Sequence, residues 1–228
     1  MISSRVDDVR ARIERAADSA AREASSITLV AVTKGIDVEH VREGVELGLR
    51  DLGENRVQEL LEKQAAIDGP VRWHMVGTLQ RNKVHDVVGS VSLIHSVDSR
   101  RLAESIGARA HAHGITQDVL IQVNTSREET KHGIAPDSPD DVRAIAGIEG
   151  VRVCGFMTIA APGDHAEARA EFRTLRELRD TTLPDLPDAR ELSMGMSDDF
   201  EVAIEEGATH VRVGTAIFGP RRAPVPDR

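Results

Sequence analysis

Apolar residues recur along this chain in two rhythms. In the opening segment Val6, Val9, Ile13, Ala16, Ala17, Ala20 and Ala24 fall at steps of three and four, which puts them on one helical face. A short apolar, β-branched run at 27–33 follows, of the kind a buried parallel strand shows. Asp37 is placed to cap a helix bearing Val38, Val41 and Val45 that ends near Gly48. The alternation then repeats. Further strands are predicted at 51–53, 72–76, 92–95, 119–123, 151–158, 191–194 and 210–213, with helical patterns between them, as at 100–111, 139–146 and 166–179. Ser138-Pro139-Asp140-Asp141 supplies a cap, a proline at the first helical position and an acidic first turn.

Strands that alternate with helices form parallel sheets joined by right-handed crossovers. Eight such units predict an α/β chain folded as a single (β/α)8 TIM-type barrel with an extra N-terminal helix. An open, doubly wound sheet is the alternative, but no GxGxxG follows the first strand, which counts against its dinucleotide-binding form. No linker or repeat divides the chain. The barrel is expected over residues 1–222, with a loose tail at 223–228.

Composition narrows the function classes. At 40% hydrophobic and 29% charged, the 228 residues suit one globular core. A net charge of −9 repels phosphate backbones, so no nucleic acid is expected as a partner. No stretch approaches the roughly 20 apolar residues that span a bilayer, and the first residues lack the apolar core of a signal peptide. A cytoplasmic location, without membrane partners, is the expectation. The single cysteine, Cys154, reads as a buried small apolar residue. The nine histidines show no metal-ligand spacing, so no metal is expected. Tyrosine is absent, which removes one common catalytic acid/base.

Active groups of a parallel barrel stand at the carboxyl ends of its strands. The first strand ends in Lys34. There the amine is either held near a low-dielectric interior, with a depressed pKa suited to Schiff-base formation, or it snorkels to solvent. The last two strands end in Ser193-Met194-Gly195-Met196-Ser197 and Arg212-Val213-Gly214-Thr215. Glycines and a helix start at these loops suit a phosphate, with Asp198 and Asp199 turned away from it; the same residues also serve as ordinary turns and an N-cap at Ser197. Arg212 is placed either for an ion pair or for contact with a bound ligand. His74 is a general-base candidate or a strand-end histidine with satisfied hydrogen bonds. Asn55 caps a helix or reaches a ligand ring.

Seven stretches, among them VAVTKG (30–35), DLGENRVQELLEK (51–63), RWHMVGTLQRNK (72–83) and ELSMGMSDDFEVAIEEGATHVRVGTAIFGPR (191–221), run in order along nearly the whole chain. Together they resemble the pyridoxal phosphate homeostasis protein family, single-domain relatives of the alanine racemase N-terminal barrel. The resemblance implies pyridoxal 5'-phosphate as cofactor, held as an internal aldimine on Lys34. It implies Arg212 at the pyridine nitrogen, Ser197, Gly214 and Thr215 at the phosphate, and Asn55 beside the ring, with His74 and Met194 completing the cofactor-binding set. Gly35-Ile36-Asp37, Arg56, Thr78 and Arg81 depart from the commonest family pattern, which bears on loop shape and affinity.

A protonated arginine at the ring nitrogen weakens the electron sink of pyridoxal enzymes. The related racemases take an acid/base tyrosine from a second domain, and this chain has no tyrosine. The expected function is therefore cofactor buffering or delivery, in which a non-catalytic monomer serves pyridoxal-dependent apo-enzymes. A pyridoxal enzyme of unknown specificity and a cofactor-free Schiff-base aldolase are the alternatives.

Overall fold

The structure, a computed structural model, describes residues 1–220 except Glu129 and Pro162. Arg221, Arg222 and the expected tail at 223–228 lie outside the described residues.

Eight parallel strands close into a barrel in sequence order: β1 Thr28–Val32, β2 Asp51–Glu54, β3 Arg72–Met75, β4 Leu93–Val97, β5 Gln117–Gln122, β6 Val151–Met157, β7 Glu191–Ser193 and β8 His210–Val213. Each of the eight expected runs is a strand, so the open-sheet alternative falls away. Around them lie α1 Ile2–Ser19, α2 Val38–Glu46, α3 Val57–Ala66, α4 Val84–Val87, α5 Arg100–Ala112, α6 Pro139–Ala146, α7 His165–Thr182, α8 Phe200–Glu205 and α9 Thr215–Phe218.

Local signals explain most boundaries. Asp37 caps α2 by accepting from the His40 N–H at 3.0 Å. Ser138 holds the N-cap position of α6, but its side chain makes no capping bond. The opening helix stops at Ser19, short of Ala20 and Ala24, because Ala21 takes a positive φ of 52°. The buried face of α1, from Ile2 to Ala17, packs on α8 and α9 and so ties the chain's start to the last barrel units.

Strand residues alternate between two environments. Ala31, Leu52, Met75, Ile94 and Val211 join the helices in the main apolar core. The other face points into the barrel. There, among the described residues, two small apolar clusters form, Val30 with Val32 and Val76, and Leu93 with Leu120, Met157 and the partly buried Cys154. Barrel interiors are usually filled by layers of branched apolar residues. Here polar side chains occupy much of the space, and they lead to the site.

Candidate functional site

The carboxyl ends of β7, β8, β1 and β2 are neighbours, because β8 pairs with both β7 and β1, and β1 pairs with β2. Lys34 is the second residue after β1, beyond Thr33, and is half-buried. It lines a small pocket with Val32, Ile36, Gly214, Thr215 and Gly219. The candidate amine and the candidate phosphate loop thus share one cavity.

The pocket's far wall is the start of α9, where Gly214 is the N-cap. First-turn N–H groups of a helix lack intrahelical acceptors and favour anions. One of them, on Ala216, donates to Ser197 Oγ at 3.2 Å. Ser197 therefore serves α9 and not α8, whose N-cap is Asp199. This corrects the expectation that Ser197 begins the following helix: the β7 loop makes a further turn, in which Phe200 N bonds Met196 O, and α8 starts later. A Cβ on Gly214 would stand 3.1 Å from the Val32 carbonyl oxygen, in the space beside the lysine's strand. Gly195 takes a φ of +90°, and a Cβ there would meet Ala203 Cβ at 2.6 Å. That close fit presses the β7 loop onto α8.

Asp198 is exposed, whereas Asp199 is half-buried and accepts the Met196 N–H at 2.6 Å. Burial raises the Asp199 carboxyl's pKa, against that hydrogen bond. Arg12 of α1 reaches the same loop. It pairs with Glu201 at 2.6 Å, lies over the Phe200 ring and donates to the Ser197 carbonyl at 3.4 Å.

Arg212 is buried inside the barrel. Its Nη1 donates to Ser193 Oγ at 2.7 Å and its Nη2 to the Thr158 carbonyl at 2.8 Å. Both acceptors are neutral. Burial pulls the guanidinium down to about 10, with the more distant Asp199 opposing. Asn55, directly after β2, is half-buried, and the backbone of Gly77 packs so closely that a Cβ there would lie 2.4 Å from the Asn55 carbonyl oxygen. Asn55 lines a second pocket with Gln58, Thr78 and Lys83.

The sequence model of the alanine racemase N-terminal domain matches residues 5–222. The pyridoxal phosphate homeostasis protein of Aquifex aeolicus (strain VF5) is 45% identical over 222 residues, covering 96% of this chain and 97% of that one. The structure of PipY from Synechococcus elongatus PCC7942 with PLP bound superposes with a TM-score of 0.84 at 34% identity, over 96% of this chain and 100% of that one. Alanine racemase of Clostridium difficile 630, at 16% identity and a TM-score of 0.75 over 99% of this chain and 58% of that one, shares the fold. This chain belongs to the pyridoxal phosphate homeostasis protein family.

Of the residues expected in the cofactor set, Lys34, Gly214 and Thr215 share one pocket and Asn55 lines the second, whereas Met194 and His74 line neither. Met194 is fully buried in the main apolar core, where the helix-facing side of β7 continues. His74 lies within β3, not at its end. Both its ring nitrogens are engaged, with Asp51 at 3.0 Å and His95 at 2.9 Å. It meets the site only through intermediaries.

The reading of the sequence missed those intermediaries, His95, Ser193 and Asp51. Ser193 had a signal, as a small polar residue at a strand end two positions from Gly195. It also missed Glu54, Glu59 and Lys63. Lys63 Nζ donates to the Thr33 carbonyl and to Glu54 Oε1, both at 2.6 Å, and the Gly35 N–H donates to Glu59 at 2.6 Å. Both backbone neighbours of Lys34 are thereby held by α3. Burial raises the Glu54 carboxyl's pKa despite Lys63 and Thr33. Among the described residues, no group of His, Cys, Asp or Glu is placed to hold a metal, and no helix is long and apolar enough to cross a membrane.

Proposed function

We propose that this protein binds pyridoxal 5'-phosphate and serves cofactor homeostasis as a non-catalytic cytoplasmic monomer that buffers the cofactor and hands it to pyridoxal-dependent apo-enzymes. The observation that carries this reading is the single pocket shared by Lys34 and the Gly214-Thr215 helix start. The residues fit the group. A half-buried amine shares its pocket with an anion-favouring helix start, and the buried Arg212, hydrogen-bonded to Ser193 and the Thr158 carbonyl, stands on β8 two residues before Gly214.

Bound pyridoxal phosphate brings an aldehyde for a lysine amine and an electron-poor pyridine ring. Lys34 would hold the aldehyde group. Ser197, Gly214 and Thr215 would hold the phosphate, and the Ser197 hydroxyl, whose oxygen already accepts from Ala216, would have its proton available for the anion. Arg212 would stand at the ring nitrogen and, as a cation, would disfavour its protonation. Asn55 would flank the ring from the neighbouring β2 end. With His74 tied to Asp51 and His95, and no tyrosine in the chain, no second acid/base joins Lys34 in this set. Holding without turnover is the chemistry that remains.

The test is an absorbance spectrum of the protein with pyridoxal phosphate, followed by borohydride trapping and peptide mapping, on wild type and Lys34→Ala. A reduced pyridoxyl label on Lys34, absent from the variant, is expected. A label on another lysine removes the site assignment, and amino-acid turnover at ordinary enzymatic rates removes the carrier role.

A further inference from the structure

The polar side chains inside the barrel join end to end. At its amino end, Arg72 clasps Asp51 through Nε and Nη2, each at 2.6 Å. Asp51 Oδ1 meets His74 Nε2 at 3.0 Å, His74 Nδ1 meets His95 Nε2 at 2.9 Å, and His95 Nδ1 meets Ser193 Oγ at 2.8 Å. Ser193 Oγ then accepts from Arg212 Nη1 at 2.7 Å. The line crosses from β2 through β3, β4 and β7 to β8.

Its two ends dictate its direction. The Asp51 carboxylate only accepts, so His74 carries its proton on Nε2. A neutral His74 then offers a bare Nδ1, which requires the proton of His95 on Nε2. His95 Nδ1 is bare in turn and takes the Ser193 hydroxyl proton. That leaves the Ser193 oxygen to face the guanidinium, which only donates. Neutral rings satisfy every bond in this line, and burial lowers the pKa of each, outweighing Asp51 at His74. The other charged or titratable groups nearby are His210, with ring centroids 6.2 and 5.8 Å from His74 and His95, and Glu191, 3.4 Å from His210.

Between Asp51 and Arg212 every bond dipole turns its negative end toward Arg212 and its positive end toward Asp51. Such chains polarise one another in a low dielectric. We infer that Asp51, His74 and His95 are positioning residues that act through Ser193 to fix Arg212 and balance its charge. The inference rests on the cofactor reading for its consequence, a guanidinium held rigidly against the ring nitrogen, but the relay itself exists without cofactor.

Nitrogen-15 NMR of the cofactor-free wild type tests the direction. His74 and His95 should both show the Nε2–H tautomer and should be neutral at neutral pH. A proton on Nδ1 of either ring overturns the relay. Arg212 guanidinium proton exchange tests the anchoring: slow in wild type, faster in Ser193→Ala and His95→Leu, and slow again in Ser193→Thr, which keeps the hydroxyl. Unchanged exchange in a folded Ser193→Ala overturns the inference even if the protein takes up no cofactor. With pyridoxal phosphate added, Ser193→Ala and His95→Leu should bind about tenfold more weakly. They should also shift the pH midpoint of the bound cofactor's visible band by about half a unit. A merely structural serine leaves that midpoint where it is. Should His95→Leu fail to fold, Ser193→Ala and the wild-type tautomers still decide.

Discussion

Asp51 shows how far a single side chain depends on its surroundings. Burial alone would raise its pKa, but hydrogen bonds from His74 and Arg72 win and hold it at about 2. A carboxylate with a depressed folded-state pKa contributes stability that is present above its unfolded value and is lost as pH falls toward the folded value. The contribution at neutral pH is roughly 2 kcal/mol. Asp51→Asn should lose about that much and should flatten the acid limb of the stability curve between about pH 4 and pH 2. Chemical denaturation across that range measures both effects. Lys34 was legible from its place after an apolar run. Asp51 was visible only as the first residue of a strand, because His74 and Arg72 approach it from the next strand over.

At the scale of elements, β1 ends where α3 holds it. Lys63, buried with Glu54, bonds the Thr33 carbonyl one residue before Lys34, and Glu59 takes the Gly35 N–H one residue after it. Removing one partner of a buried pair leaves an uncompensated charge. Lys63→Met should therefore cost roughly 3 kcal/mol and lower Tm by roughly 6–12 °C, with partial recovery when Glu54→Gln is added. Thermal unfolding of both variants checks this; an unchanged Tm in the single variant removes α3 as the brace. The element boundaries themselves were largely legible, since cap, glycine and apolar period are local. The departures were local signals overridden from outside: Ser138 does not bond as a cap, and Ser197 turns to α9, a helix that arrives eighteen residues later.

At the scale of the molecule, the site is assembled where the barrel closes. α1 packs on α8 and α9, and Arg12 reaches the Ser197 loop, so the first helix supports the proposed phosphate end. A ligand that binds only the folded barrel stabilises it by mass action. At a pyridoxal phosphate concentration about a hundredfold above its Kd, the gain is about 2.7 kcal/mol, which should raise Tm by roughly 5–10 °C. Lys34→Ala should show a much smaller rise at the same concentration. Equal rises in both proteins would place binding away from Lys34.

Strand and helix order, the closed barrel, the position of Lys34 and the two glycine-bearing loops follow from periodicity and from residue types that act on their immediate neighbours. Those features need only short-range physics, and the chain states them directly. The line from Arg72 to Arg212 is different. Its members are separated by up to 98 residues at a single bond, between His95 and Ser193. Only barrel closure brings them into one low-dielectric interior, where unpaired polar groups are costly and each must find the next. For the same reason His74, read from its segment as a group at the site, became a link beneath it.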